Sequence, residues 1–246
     1  MAKLEPDAMI DLHTHSLLSD GELLPEELVR RCETRGCRML AISDHVGFST
    51  IETVVPQLVR MCRSLRGKGA IAVLPGAEVT HVRPDLIRRA VSLARESGAA
   101  IVVGHGETIA EPVAAGTNRA LIEAGVDILA HPGLIDKADA ALAARSGVAL
   151  EISGRKGHSF TNGYVLQMAR LTGAKLVFDS DAHADGDLPD RRKAERIAFG
   201  AGMTAEEVDQ LFINAEGIFR AAAAAAAIPR LHGHSGARNK RDWAKP

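Results

Sequence analysis

Histidine, aspartate and glutamate residues follow several short apolar segments of this sequence, at the point where each segment ends. Nine such residues are candidate metal ligands: His13, His15, Asp20, His45, Glu78, His105, His131, Asp181 and His183. Mixed imidazole and carboxylate groups are typical ligands of divalent zinc, manganese or iron. A tetrahedral ion takes four ligands, so six histidines and three carboxylates indicate two or three ions.

The spacing within two of these motifs suits shared ligation of one ion. Side chains alternate along a strand, so His13 and His15 face the same way, as do Asp181 and His183. A lone His-x-His triplet is weak evidence, because ten histidines in 246 residues produce one by chance roughly 0.4 times. A second triplet at 232–234 is expected to have no function. The prediction therefore depends on the joint placement of the motifs after successive strands.

Seven strand-like segments precede the motifs, and longer helix-like segments separate them. The predicted strands are 8–12, 39–43, 70–74 extending towards 79, 99–103, 126–130, 148–152 and 175–178. The predicted helices are 25–35, 50–66, 84–96, 118–124, 136–145, 162–172 and 189–199, with a last helix from 204 into the alanine run at 221–227. This alternation predicts a parallel α/β barrel, in which the carboxyl ends of the strands bring the motifs to one face.

The composition is typical of one globular domain. The chain has 246 residues, of which 46% are hydrophobic and 25% charged, and this excludes a wholly disordered chain. A net charge of −1 and an aromatic content of 3% argue against a dedicated nucleic-acid-binding protein. Three cysteines without a C-x2-C spacing predict reduced thiols in an intracellular protein.

Neither end of the chain carries a membrane signal. The first residues lack the apolar region of a signal peptide, and the longest apolar run, 221–228, is shorter than the roughly 18 residues that span a bilayer. We therefore expect a cytoplasmic protein without membrane contact. Residues 229–246 are rich in Gly, Arg, Lys and His and are expected to form a flexible basic tail.

The motifs HTHSLLSDG, ISDH, GAE, VGHG, AHPG and DSDAH resemble, in this order, those of the PHP (polymerase and histidinol phosphatase) superfamily of metal-dependent phosphoesterases. The resemblance implies a distorted (β/α)7 barrel over residues 1–228, with the metal site at the carboxyl ends of the strands. It implies a first ion on His13, His15, Glu78 and Asp181, a second on Glu78, His105 and His131, and a third on Asp20, His45 and His183. Glu78 would bridge the first two ions.

Clustered divalent ions favour the hydrolysis of phosphate esters. They lower the pKa of a bridging water towards about 7, which gives a hydroxide, and they clamp the phosphate oxygens during attack. Glu78 and Arg155 are the predicted catalytic residues, and Arg155 would also bind the phosphate through two hydrogen bonds. The further substrate-binding candidates are Lys156, His158 and His81.

Three carboxylates beside the motifs are expected to act indirectly. Glu151 and Asp179 are predicted to orient ligating histidines, which fixes the tautomer of an imidazole. Asp44 precedes His45 and points to the opposite face, so it is expected to hold a loop by hydrogen bonds.

The leading hypothesis is a metal-dependent hydrolase of a small phosphate monoester, of the histidinol-phosphatase-like class. We expect zinc, with manganese or iron as the alternatives, and a small phosphorylated substrate rather than nucleic acid. One alternative is a nuclease or cyclic-nucleotide phosphodiesterase, and another is a metal-binding module without turnover. A metal-dependent amidohydrolase fits less well, because such barrels commonly add a lysine at a strand end and none occurs here.

Overall fold

The computed structural model describes residues 8–227 and shows a parallel sheet that is nearly closed into a barrel and surrounded by helices. The strands are β1 (Met9–Asp11), β2 (Cys37–Ile42), β3 (His45–Val46), β4 (Ala72–Val79), β5 (Ile101–His105), β6 (Ile128–Ala130), β7 (Ala149–Ser153) and β8 (Leu176–Asp179). The α-helices are α1 (Pro25–Thr34), α2 (Ile51–Leu65), α3 (Ile87–Ser97), α4 (Thr117–Ala124), α5 (Lys137–Ser146), α6 (Asn162–Thr172), α7 (Arg191–Gly200) and α8 (Ala205–Ala227). Short 3-10 turns lie at Pro84–Leu86, His158–Thr161 and Asp185–Asp187.

The strands follow one another around the barrel in the order β1-β2-β4-β5-β6-β7-β8, and each adjacent pair is parallel. The two-residue strand β3 pairs with β4 and continues the line of β2 after a break at Ser43 and Asp44. The expected (β/α)7 barrel is confirmed, since the seven strands of this path correspond to the seven predicted segments. The segment β3 was not predicted, because two residues are too few to show a periodic pattern.

Side chains complete the closure of the barrel between β1 and β8. Asp179 Oδ1 accepts a hydrogen bond from Leu12 N at 2.6 Å, and Asp11 Oδ1 accepts one from Ser180 N at 3.0 Å. Just beyond, Asp181 N donates to the carbonyl of His13 at 2.9 Å. Burial raises the pKa of Asp11 to about 6, and burial together with the Asp11 charge raises that of Asp179 well above its usual value. Two buried carboxylates thus join the first and last strands directly below the predicted ligands.

Alternation along the strands divides the barrel interior into an apolar and a polar part. The apolar inner cluster contains Ile10, Leu12, Met39, Ala41, Ile101, Val103, Ile128, Ala130, Ala149 and Val177. Helix α8 adds Ala215 and Phe219 to this cluster, and Asn214 Nδ2 donates to the carbonyl of Leu176 at 2.8 Å. The buried polar residues His105, Glu151 and Asp179 each lie two positions after a residue of this cluster, namely after Val103, Ala149 and Val177 respectively. The period-two pattern therefore carries the polar side chains to the carboxyl ends of the strands.

Two glycines allow the loops after β5 and β6 to approach each other closely. A Cβ atom at Gly106 would overlap the carbonyl oxygen of Ala130. At Gly133, where φ is +63°, a Cβ atom would overlap the carbonyl oxygen of Glu107. Only glycine fits in such contacts, so these two residues hold the loops that carry His105 and His131 together.

The sequence analysis also made predictions about membrane helices, cysteines and the tail. Within residues 8–227, no helix is long and apolar enough to cross a membrane. The three cysteines in this range, Cys32, Cys37 and Cys62, are buried and unpaired. The predicted tail at 229–246 lies outside the described residues, so the proposed division at residue 228 stays a prediction.

Candidate metal centre

The nine predicted ligands lie together at the carboxyl ends of the strands. Their donor atoms form groups in which all atoms lie within 4.8 Å of one another. These groups are His13/His15/Glu78, His13/His131/Asp181, Glu78/His105/His131 and His15/Asp20/His45/His183. The third group coincides with the second ligand set that the sequence implies, and the fourth contains the third set together with His15.

Glu78, at the end of β4, occupies the centre of the cluster. Its Oε2 lies 3.4 Å from His13 Nε2 and 2.6 Å from His45 Nδ1, while its Oε1 lies 3.5 Å from His131 Nε2. The side chain is fully buried, and burial alone would raise its pKa, but the charges of His13 and His45 hold the pKa well below its usual value. The carboxylate therefore stays ionised and faces histidines of all three implied sets.

Asp181 and Asp20 are the two other carboxylates of the cluster. Asp181 Oδ1 lies 3.2 Å from His15 Nε2, and Asp20 Oδ1 lies 3.2 Å from His183 Nε2 and 3.5 Å from His45 Nε2. Burial raises the pKa of Asp181, but the electrostatic effects of His13 and His15 outweigh it and lower the pKa. Asp20 is more accessible because it lies in the loop after β1, where 56% of its side chain is exposed.

Many buried polar atoms of the cluster make no hydrogen bond. They are His13 Nε2, both ring nitrogens of His15, Glu78 Oε1, His105 Nδ1, His131 Nδ1, Asp181 Oδ1 and His183 Nε2. Leaving one buried polar atom unsatisfied costs about 1–3 kcal/mol, so eight of them in one place need a common partner. Divalent cations are suited to that role, because their preferred ligands are the imidazole nitrogens and carboxylate oxygens present here.

Backbone strain is concentrated at the same place. Among residues 8–227, the non-glycine residues with positive φ are His81 at +50°, His131 at +29° and Asp181 at +52°. Such conformations cost on the order of 1–3 kcal/mol and cluster at functional sites, where the surrounding structure enforces them. All three residues lie at the cluster, so the strain serves to direct its side chains.

Neighbouring residues orient the histidine rings. His13 Nδ1 lies 2.6 Å from Glu151 Oε2, and His45 Nδ1 lies 2.7 Å from Thr80 Oγ1. The expected contact between Glu151 and a ligating histidine is therefore present. Asp179 differs from its prediction, because its Oδ1 binds the backbone N–H of Leu12 rather than an imidazole.

Asp44 holds the loop after β1, as its predicted orientation suggests. Its Oδ1 accepts hydrogen bonds from Ser16 N and Ser19 Oγ, each at 2.7 Å, and its Oδ2 accepts one from Ser16 Oγ at 2.7 Å. These bonds fix the loop that leads to Asp20.

A pocket of about 330 Å³ opens onto the cluster. Arg155, His158 and His81 line it, whereas Lys156 is exposed and does not. Arg155 Nη1 donates to the carbonyl of Asp181 at 3.1 Å and contacts His183 Nδ1. The structure thus brings three of the four substrate-binding candidates to the cluster, and the role of Lys156 stays a prediction.

His158 stacks on a predicted ligand. Its ring lies parallel to that of His131, with the centroids 4.1 Å apart. Its Nδ1 lies 2.7 Å from Thr108 Oγ1, so its Nε2 is the nitrogen that faces the pocket. Burial and the charge of His131 lower the pKa of His158 to about 4, so the ring is neutral at pH 7.

Glu111 lines the same pocket and was missed by the sequence analysis. It lies in the loop after β5, and its Oε2 is 3.1 Å from His105 Nε2 and 3.2 Å from His81 Nε2. The hydrogen bond and charge of His105 lower its pKa to about 2 despite some burial. Glu111 stands six residues beyond the strand end, so no spacing rule connects it with His105.

The sequence also matches a protein family and a known protein. Residues 11–152 match the family model of the PHP domain. A Methanocaldococcus jannaschii protein, described as uncharacterized, is 42% identical over 206 residues, which cover 83% of this chain and 94% of that protein.

Two solved structures show the fold. A histidinol phosphate phosphatase from Lactococcus lactis, complexed with zinc, L-histidinol and phosphate, has a TM-score of 0.55 at 16% identity, covering 79% of this chain and 94% of that chain. A chain in an archaeal ribonuclease P structure with mature tRNA has a TM-score of 0.67 at 15% identity, covering 94% of this chain and 100% of that chain.

Proposed function

The chain belongs to the PHP domain family, and from this we propose that it is a metal-dependent phosphoesterase that hydrolyses a small phosphate monoester. One observation carries the proposal: nine imidazole and carboxylate residues converge on a pocket that also contains Arg155. A pocket of about 330 Å³ has room for a small metabolite, near the lower end of the range for ligand sites.

We propose that the chain holds two or three divalent ions, with zinc expected and manganese or iron as alternatives. The ligand sets are those implied by the sequence, and Glu78 is shared between two of them because its two oxygens face different histidines. Bound ions of this kind supply a water of lowered pKa and positive charge for the phosphate oxygens. The zinc in the Lactococcus lactis structure supports the choice of metal.

Arg155 is proposed to bind the phosphate. Its guanidinium is held by the carbonyl of Asp181 and by His183, so it is fixed at the edge of the cluster with part of its donor set facing the pocket. A planar guanidinium can donate two parallel hydrogen bonds to a phosphate, which orients the group as well as attracting it.

His158 and His81 are proposed to contact the rest of the substrate. The Nε2 of His158 faces the pocket because Thr108 engages its Nδ1. His81 lies at the exposed side of the pocket, with 44% of its side chain accessible. Both rings are therefore placed beside the phosphate position rather than among the ligands.

A phosphate-release screen tests the proposal. Wild type, loaded with zinc or manganese, is expected to release phosphate from at least one small monoester in a metabolite panel. Arg155→Ala should lower kcat/KM at least about tenfold without changing the metal content, because it removes charge-assisted hydrogen bonds to the phosphate. Arg145→Ala, an exposed arginine in α5, is the matched control and should behave as wild type. A metal-loaded wild type that releases no phosphate from any ester would favour the metal-binding module instead.

A second candidate, action on nucleic acid, is favoured by the similarity to a chain in the ribonuclease P structure with tRNA. The net charge of −1 argues against it. Measuring the affinity of the full chain for tRNA at 50 and 200 mM salt distinguishes the two. A nucleic-acid enzyme should lose affinity steeply with salt, whereas a small-ester phosphatase should show no specific binding.

A further inference from the structure

The strongest feature outside the predicted ligand sets is the carboxylate of Glu111. The loop that carries it is fixed by several bonds: Thr108 Oγ1 lies 2.7 Å from His158 Nδ1, and Ala110 N donates to Thr108 Oγ1 at 3.2 Å. The loop is therefore held against His158, and Glu111 lines the pocket beside His105. With 36% of its side chain exposed, Glu111 retains room to adjust.

The distances around Glu111 are those between ligands of one ion. Two donor atoms that bind the same tetrahedral zinc at about 2.1 Å lie about 3.4 Å apart. Glu111 Oε2 lies 3.1 Å from His105 Nε2, which is close to the 3.4 Å and 3.5 Å that separate Glu78 from His13 and His131. The donor atoms of His81, His105 and Glu111 also form a group within 4.8 Å.

Charge gives a second reason to assign Glu111 a cation. A carboxylate in a pocket that must accept an anionic phosphate repels the substrate unless a positive partner neutralises it. Besides His105, its neighbours are His81 and His158, and His158 Nε2 lies 3.4 Å from Glu111 Oε1. These three neighbours are imidazoles, and none of them carries the permanent positive charge of an arginine or lysine. A divalent ion on His105 would supply the missing positive charge.

We propose that Glu111 is a ligand of the ion held by His105. The inference rests on the proposed function, because the ion belongs to the second set of Glu78, His105 and His131. That set contains three residues, one of them shared, so it leaves a coordination position open. The donor atoms of Glu111 group with those of His81 and His105 and not with those of Glu78 and His131, so the partly exposed Glu111 side chain must turn towards the ion to take that position. Oε1 then remains available to His158, which connects the loop after β7 with the ion.

Metal binding by the full chain tests this inference without relying on activity. Wild type, Glu111→Gln and Glu96→Gln are stripped with a chelator, reloaded with zinc, dialysed against graded chelator concentrations and assayed for bound zinc. Glu96 is an exposed carboxylate in α3, so Glu96→Gln removes the same charge away from the pocket. Melting of the stripped proteins checks folding, and Glu111→Asp provides a second, milder variant.

The expected result is that Glu111→Gln loses one of its zinc ions at a chelator concentration at least about tenfold lower than wild type does, with the other ions retained. Glu111→Asp should fall between the two, and Glu96→Gln should match wild type. Equal zinc content and affinity in wild type and Glu111→Gln would overturn the inference while leaving the proposed function intact. Unchanged zinc binding with a raised KM for aminoalkyl phosphates alone would also overturn it, because Glu111 would then face a cationic substrate. A wild type that binds no zinc would overturn both.

Discussion

The interior of the barrel has two parts built on the same strands but with opposite chemistry. In the apolar inner cluster, residues such as Ile101, Val103 and Phe219 are buried and packed against one another. At the carboxyl ends, equally buried residues such as Glu78 and His15 present atoms without hydrogen-bond partners. Both parts follow one alternation of side chains along the strands, so the type of residue at each inward-facing position decides which part it belongs to.

This difference separates stability from chemistry. Burial of apolar surface by the inner cluster stabilises the fold by about 25 cal/mol for each Å² removed from water. The polar end does the reverse, because unsatisfied buried groups and positive φ angles at His131 and Asp181 cost free energy. Substitutions at the polar carboxyl ends of the strands should therefore change activity and metal binding, whereas substitutions in the apolar inner cluster should change the stability of the fold.

The largest effect is expected for Glu78→Ala. Because Glu78 faces histidines of every implied ligand set, its loss should lower kcat/KM for phosphate release at least about 1000-fold and remove bound metal. The secondary structure of the variant, measured by circular dichroism, should match wild type. Full activity of Glu78→Ala would show that catalysis at the polar end does not depend on this carboxylate.

Phe219→Ala tests the apolar part. Phe219 is almost completely buried in the inner cluster, so its truncation should lower the free energy of unfolding by about 3–5 kcal/mol in a urea titration. Activity per folded molecule should stay within about twofold of wild type. Ile213→Ala, an exposed position in the same helix, is the control and should change stability by less than about 0.5 kcal/mol. Equal effects of the two substitutions would show that α8 does not stabilise the barrel through Phe219.

Removal of metal ions should destabilise the folded protein, because the ions bind at the polar carboxyl ends of the strands. An ion that binds only the folded state adds about 2.7 kcal/mol at a free concentration 100 times its Kd. Thermal melting with zinc should therefore occur at a higher temperature than melting with chelator. Phe219→Ala should keep this zinc-dependent increase and Glu78→Ala should lose it. An equal increase in both variants would place the ions elsewhere.

The smallest effect concerns the buried carboxylates between β1 and β8. Burial raises the pKa of Asp11 to about 6, so from pH 4 to pH 6 the unfolded state releases a proton that the folded state retains, and stability falls as pH rises. Asp11→Asn keeps an oxygen acceptor for Ser180 N but does not titrate. As the pH rises from 4 to 6, the free energy of unfolding of the variant should increase by about 2 kcal/mol relative to that of wild type. Urea unfolding in the presence of chelator measures it. A constant difference across this range would contradict the prediction.

The sequence predicts most of the fold, because the seven strands of the barrel path are short apolar segments and longer helix-like segments separate them. Errors occur at the ends: the predicted strand 99–103 is β5 at Ile101–His105, and the predicted helix 84–96 begins with a 3-10 turn before α3. The nine candidate ligands are predictable because a strand end fixes their location.

Residues in the loops are predicted less well, since their positions depend on contacts with other loops. His81 was expected to face the pocket by continuing β4, but the strand ends at Val79 and His81 reaches the pocket with a φ of +50°. Glu111 gave no signal at all, because its contacts with His81 and His158 join separate loops. Sequence spacing describes one strand at a time and contains no information on such contacts.

A crystal structure of the zinc-loaded full chain, with anomalous diffraction data at the zinc edge, tests most directly whether the nine imidazole and carboxylate residues hold metal ions. The account predicts two or three anomalous peaks at the carboxyl ends of the strands, one of them about 2.0–2.2 Å from donor atoms of Glu78, His105 and His131. Peaks found only on the outer surface, or no peak among the nine residues, would contradict it.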